Sequence, residues 1–208
     1  MQTFGKGMLY FLALSIAGYA LVAYSFFPLG SLTHPDLAAN FQIHPIGIYV
    51  HIFASVVALA IGPFQFSARF REKYINIHRW LGRLYLGIGV LFGGVAGLYM
   101  SWFAFGGAIT KFGFGALAIL WLFTGLQAFL AISKGAVEEH RKWMVRNFSL
   151  TFAAVTLRIY LPFSAGFGIA FEAAYPIIAW LCWIPNLIFA ELLFNRSKRK
   201  TDNNRRNA

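Results

Sequence analysis

Long apolar runs alternate with short polar segments along this chain. A helix needs about 20 apolar residues to cross the hydrocarbon core of a bilayer. Six runs reach that length and predict six transmembrane spans, at residues 8–27, 46–66, 80–102, 113–133, 144–163 and 173–194. The pattern therefore predicts an all-α, polytopic membrane protein.

The predicted spans leave no room for a soluble domain. Residues 1–194 form a single transmembrane domain whose core is residues 46–163, and residues 195–208 form a basic tail that we expect to be disordered. The first span begins after Lys6 in the manner of a signal peptide. Because its apolar run is about twice as long as a signal peptide needs, we interpret it as an uncleaved anchor.

Composition agrees with this interpretation. The chain is 59% hydrophobic and 12% charged, whereas a soluble domain is about 45–50% apolar and about 25% charged. These values exclude a soluble enzyme, a disordered chain and a nucleic-acid-binding module. The single cysteine, Cys182, excludes an intrachain disulfide and any cysteine-based zinc or iron–sulfur site.

The positive charges predict the orientation of the spans. The net charge is +11, and sixteen of the 18 Lys and Arg residues fall on one predicted face. Only Lys111 falls on the other face, and Arg158 lies inside the fifth span. Cytoplasmic loops retain positive charge, so we expect both termini to be cytoplasmic.

A weak internal repeat relates the second and third spans to the fourth and fifth. In each half a glutamine precedes a His-Arg pair by thirteen residues, and Trp and Arg follow; the matched residues are Gln65 and Gln127, His78 and His140, Trp80 and Trp143, and Arg83 and Arg146. Two parallel hairpins would form a four-helix core flanked by the first and sixth spans. The alternative is that Trp, Arg and His simply favour the membrane interface.

The repeat would place His78 and His140 at matching depths near the cytoplasmic face. Two facing imidazoles in a four-helix core can act as the axial ligands of a b-type haem. Arg83 and Arg146 would then balance the haem propionates. The alternative is that these basic junctions anchor the protein by binding anionic lipid headgroups.

Small residues line the third span at regular spacing. Gly89, Gly93 and Gly97 form consecutive small-xxx-small steps, which admit either a flat macrocycle or another helix. Helix packing is the commoner use and the favoured interpretation.

A second polar pair is predicted in the outer half of the membrane. His51 and Arg158 each lie five residues from the outer end of a span, about 8 Å deep. An arginine at that depth either snorkels outward or needs an acceptor, such as Glu172, a headgroup, a haem propionate or a quinone carbonyl. An external metal site formed by His51, His44 and His34 is disfavoured because their spacing matches no standard pattern.

Four ordered motifs in this chain resemble a known family of predicted membrane proteins, catalogued as domain of unknown function 2306. The motifs are GPFQF at 62–66, HRWLGRLY at 78–85, EHRKWMVR at 139–146 and LRIYLP at 157–162. The resemblance covers the second to fifth spans. It implies a multi-pass protein of a bacterial-type inner membrane and specifies no activity. The layout also resembles small transmembrane b-type cytochromes.

Two functions remain open, and whether the chain is an enzyme is not decided by its sequence. The first is a haem-binding electron-transfer protein whose outer pocket, at His51 and Arg158, takes a quinone or another redox partner. The second is a non-catalytic membrane protein for small-solute permeation or lipid binding. A membrane hydrolase has little support, because no predicted span contains a Ser-x-x-Lys motif and the sequence has no His-Glu-x-x-His motif.

Overall fold

The computed structural model describes residues 2–192 and contains six helical segments long and apolar enough to cross a membrane. They run over Gly5–Phe26, Pro45–Gln65, Ile75–Ser101, Gly107–Ser133, Val137–Gly166 and Phe171–Leu192. Each overlaps one predicted span, so the all-α, six-span prediction is confirmed. The predicted tail, 195–208, and the last two residues of the predicted sixth span lie outside the described residues.

The individual helices are shorter than the spans in several places. They are α1 (Gln2–Phe26), α2 (Pro35–Ile43), α3 (Pro45–Gln65), α4 (Ala68–Lys73), α5 (Ile75–Leu84), α6 (Leu91–Ser101), α7 (Gly107–Ser133), α8 (Val137–Thr151), α9 (Ala153–Gly166) and α10 (Phe171–Leu181). A π-helical segment, Tyr85–Val90, joins α5 to α6. The short helices α2 and α4 lie in the connections between predicted spans.

The second to fifth spans form the predicted four-helix core. Helix α3 packs against the third span, α6 packs against α7, α7 packs against α8, and α8 returns to α3. The first span packs on α3 and α9, and α10 packs on α7 and α9. Spans one and six therefore flank the core.

Glycines on the third span allow its neighbours to approach closely. A Cβ on Gly89 would lie 2.7 Å from the Ala58 side chain, and one on Gly94 would lie 2.6 Å from Leu122. A Cβ on Gly97 would lie 2.8 Å from the His51 ring. Real side chains do not pack at such distances, so the packing interpretation of these glycines is confirmed.

Three spans are interrupted inside the membrane region. The third contains the π-helical segment, the fifth breaks between Thr151 and Ala153, and the sixth breaks at Cys182. The Thr151 hydroxyl bonds the Asn147 carbonyl one turn earlier, an arrangement that bends helices. Pro185 has no N–H to donate to the preceding turn, which accounts for the break in the sixth span.

Candidate functional site

The end of the molecule that carries most of the positive charge, here called the basic end, brings His78 and His140 together. His78 lies on α5 and His140 lies in the first turns of α8. The two imidazoles are close enough to interact electrostatically, and Arg71 and Arg79 act on His78 in the same way. The structure therefore places the two histidines matched by the repeat at the same end of the molecule, within electrostatic range of each other.

The His140 ring is oriented by a neighbouring helix. Its Nδ1 lies 2.8 Å from the carbonyl oxygen of Ala128 on α7. A carbonyl can only accept, so Nδ1 donates its proton there and Nε2 of the neutral ring keeps its lone pair. Metal-ligating histidines are commonly fixed in this manner.

Two buried polar atoms beside this pair have no hydrogen-bond partner among the described residues. They are Nδ1 of His78 and Nε2 of Gln65. Gln65 is 7% exposed, and its Oε1 lies 3.5 Å from the position that a Cβ would take on Gly82. Gly82 is one helical turn after His78, so Gln65 faces the same side of α5 as that histidine. Buried polar groups are nearly always hydrogen-bonded. The ring nitrogen of His78 and the amide nitrogen of Gln65 are therefore available to bind a ligand.

The two arginines expected to balance propionates adopt similar local arrangements. The guanidinium of Arg83 lies 5.5 Å from the Trp80 ring centre, and that of Arg146 lies 4.7 Å from Trp143. This cation–π contact recurs in both halves of the predicted repeat. Arg146 also forms a bidentate ion pair with Glu191, with N–O distances of 2.5 and 2.9 Å, whereas Arg83 is exposed.

A buried polar network lies among the third, fourth and fifth spans. The Tyr85 hydroxyl donates to Asn147 Oδ1 at 2.8 Å and lies 2.8 Å from Thr151 Oγ1. The Asn147 amide donates to the Trp121 carbonyl and to Thr124 Oγ1, and Trp121 Nε1 donates to Thr151. The pattern of apolar and polar positions does not predict this network. The one feature of the sequence that could have indicated it is Asn147, an asparagine inside the apolar run 144–163.

At the opposite end, His51 projects from α3 and its side chain packs against α6. Its Nδ1 lies 2.8 Å from the Gly93 carbonyl, so this ring also donates through Nδ1. Gly97, one turn along, leaves room for the imidazole. His51 is thus positioned by the third span.

Arg158 lies in the fifth span and is half-buried. It donates to the Ala154 carbonyl at 3.0 Å, and its guanidinium lies 5.9 Å from the Tyr19 ring centre. It is within electrostatic range of His51. Among the described residues Arg158 makes no ion pair with a carboxylate.

The other groups expected near this end lie apart from Arg158. Glu172 lies instead with His34 and Asp36, with their ligand atoms all within 4.8 Å of one another. His44 bonds the Tyr99 hydroxyl at 2.9 Å and stacks on Phe103. Each of the three histidines considered for an external metal site therefore has different neighbours.

Residues 48–194 match the sequence model of a family described as predicted membrane protein (DUF2306). No curated protein and no solved structure shows significant similarity to the chain.

Proposed function

Since this chain belongs to the DUF2306 family of predicted membrane proteins and is a multi-pass membrane protein, we propose that it binds one b-type haem between His78 and His140 and transfers electrons. The supporting observation is that the two imidazoles lie within electrostatic range of each other at the basic end of the core. His140 is oriented with Nε2 available, and His78 keeps a buried ring nitrogen without a partner. This donor set fits a bis-histidine haem, which would supply a one-electron carrier.

Positive charge near the pair suits the haem propionates. Arg71 and Arg79 act on His78, and Arg83 is exposed nearby on α5. Arg146 is bonded to Glu191 and would exchange that partner for a propionate. The assignment of Arg83 and Arg146 to propionates stays a prediction, and Arg83 requires the smaller rearrangement.

The redox partner proposed for the opposite end is a quinone. Arg158 has five N–H donors, and one nitrogen is used on Ala154. The remaining donors suit a quinone carbonyl, with His51 beside them. By the positive-inside rule we also infer that the basic end faces the cytoplasm of a bacterial-type inner membrane.

A reduced-minus-oxidised absorption spectrum of the purified protein tests the haem proposal. We expect Soret and α bands from the wild type and their loss in both His78→Ala and His140→Ala, because each substitution removes one axial ligand. His44→Ala is the matched control. It removes an imidazole at the opposite end, so the bands should persist.

A second variant of His140 distinguishes the loss of an iron ligand from a failure to fold. His140→Met retains an axial ligand of a different kind, so it should shift the bands rather than remove them. A featureless spectrum from wild-type protein that elutes as a single species and was expressed with haem precursor would overturn the proposal.

The position of Arg158 supports a second candidate function. Under this alternative the chain is a non-catalytic protein for small-solute permeation or lipid binding. An arginine within a span that makes no described ion pair with a carboxylate is a natural binding group for an anion. Under this alternative, Arg158→Gln changes solute uptake into proteoliposomes while the wild-type spectrum stays featureless. Under the haem proposal, the bands depend on the His78 and His140 pair.

A further inference from the structure

A cavity of about 590 Å³ opens at the basic end, and neither His78 nor His140 lines it. Residues of the first and sixth spans, the end of α3 with α4, and α8 line it. Its volume lies within the range of small-molecule sites, about 300–1,000 Å³. We call it the lateral cavity.

The interior of the lateral cavity is apolar. Phe148 and Phe152 line its fifth-span side, and Phe189 lines its sixth-span side. The lining residues of the fifth span run from Val145 to Phe152, which corresponds to about 10 Å of helix. The cavity is therefore deep enough to hold part of a hydrocarbon chain.

Most polar groups in its wall are bonded within the protein. The Tyr10 hydroxyl donates to the Pro63 carbonyl at 2.7 Å, and the Asn186 amide donates to carbonyl oxygens of Ser149 and Cys182. Ser67 caps α4 by accepting from the Phe70 N–H. These groups close the wall and have little capacity for a ligand.

Two cations are the exception. Lys6 and Arg69 line the same cavity, both are exposed, and neither makes an ion pair with a carboxylate among the described residues. The carboxylate of Glu191, next to the lining residue Ala190, is already bonded to Arg146. The mouth of the cavity is therefore net positive.

We propose that the lateral cavity is a binding site for one anionic phospholipid of the surrounding leaflet. The phosphate lies between Lys6 and Arg69, and one acyl chain lies along Phe148 and Phe152. The two cations favour an anionic headgroup by charge complementarity. The apolar wall favours a ligand with an acyl chain over a small soluble anion. This site is separate from the proposed haem site and does not depend on it.

Native mass spectrometry of protein released from bilayers of equimolar phosphatidylglycerol and phosphatidylcholine tests the site. We expect the wild type to retain one phosphatidylglycerol in preference to phosphatidylcholine. Lys6→Gln and Arg69→Gln should each reduce that preference about fivefold, because one basic residue near the lipid contributes about that factor. Lys111→Gln is the matched control, since it removes one exposed cation at the opposite end.

The apolar part of the site is tested separately. Ala68 is exposed and lines the cavity, so Ala68→Trp fills space without disturbing the core and should reduce retention of both lipids. Equal retention of the two lipids by the wild type would overturn the proposal. So would a loss in Lys111→Gln as large as in the cavity variants, or a retained mass that is not a phospholipid.

Discussion

At the residue scale, the most constrained polar side chain is Asn147. The residue is fully buried, and the described hydrogen bonds of its side-chain amide are all made to residues of the third and fourth spans. An unsatisfied amide in a membrane core is costly, so the position of Asn147 fixes how these helices meet. The network therefore specifies the register of three spans.

Asn147→Ala should destabilise the protein because it leaves Tyr85, Thr124 and the Trp121 carbonyl with lost partners. We expect a loss of about 1–3 kcal/mol in the free energy of unfolding, which lowers the melting temperature by about 2–10 °C. The single cysteine, Cys182, is fully buried, so its reaction with a thiol dye reports unfolding on heating.

The control for this variant is Asn76→Ala, which removes an exposed asparagine from α5. Its melting temperature should stay within about 2 °C of the wild type, because exposed substitutions rarely exceed about 0.5 kcal/mol. Equal melting temperatures for Asn147→Ala and the wild type would show that the network contributes nothing to stability.

At the element scale, the third span combines a π-helical segment with a glycine face. The π-helical segment begins at Tyr85, so the hydroxyl that enters the buried network lies where the helix changes winding. Such segments are rare and often occur at functional sites. The glycines beyond it bring α3 close enough for His51 to bond the Gly93 carbonyl. One span therefore positions groups at both ends of the core.

Gly97→Ala should disturb this packing, whereas Gly87→Ala should not. The added methyl at Gly97 would lie 2.8 Å from the His51 ring, while Gly87 has no atom within 4 Å of the same position. Overpacking of this kind costs about 1–3 kcal/mol, and Gly87→Ala should be neutral or slightly stabilising because alanine favours the helix. Thermal melts followed through Cys182 compare the pair. Equal melting temperatures would contradict this account.

Apolar length and charge predicted each span but not its interruptions. A run such as 144–163 has the same hydropathy whether or not its helix breaks at Phe152. The break depends on Thr151, whose hydroxyl bonds the Asn147 carbonyl and receives the Trp121 N–H. The contact with Trp121 forms only when the fourth and fifth spans are packed together, so it could not be inferred from the pattern of apolar positions.

At the scale of the whole molecule, the charges separate strongly between the two ends. Exposed cations of α4, α5 and the start of α8 share one end with the His78 and His140 pair, and Lys111 lies at the other. This asymmetry underlies the inferred orientation. It also means that the proposed haem and phospholipid sites lie at the same end.

The orientation predicts which introduced cysteines react in intact cells. Lys111→Cys should label with a membrane-impermeant maleimide, whereas Lys134→Cys should label only after permeabilisation, because the basic end is expected to be cytoplasmic. The parent chain is the control, since its only thiol, Cys182, is buried. The reverse labelling pattern would contradict the inferred orientation.

The sequence alone determines the six spans and their expected orientation. The length of the apolar runs determines the spans, and the distribution of Lys and Arg determines the orientation, because both are local properties of a chain in a bilayer. The internal repeat also assigns His78 and His140 to matching positions in the two hairpins. Which distant residues become partners is decided only by the tertiary structure. Arg146 pairs with Glu191, 45 residues away, and Asn147 completes a buried network. Lys6 and Arg69, which are far apart in the chain, line one cavity. Those partners are set by helix packing between distant segments, and hydropathy carries no information about which helices meet.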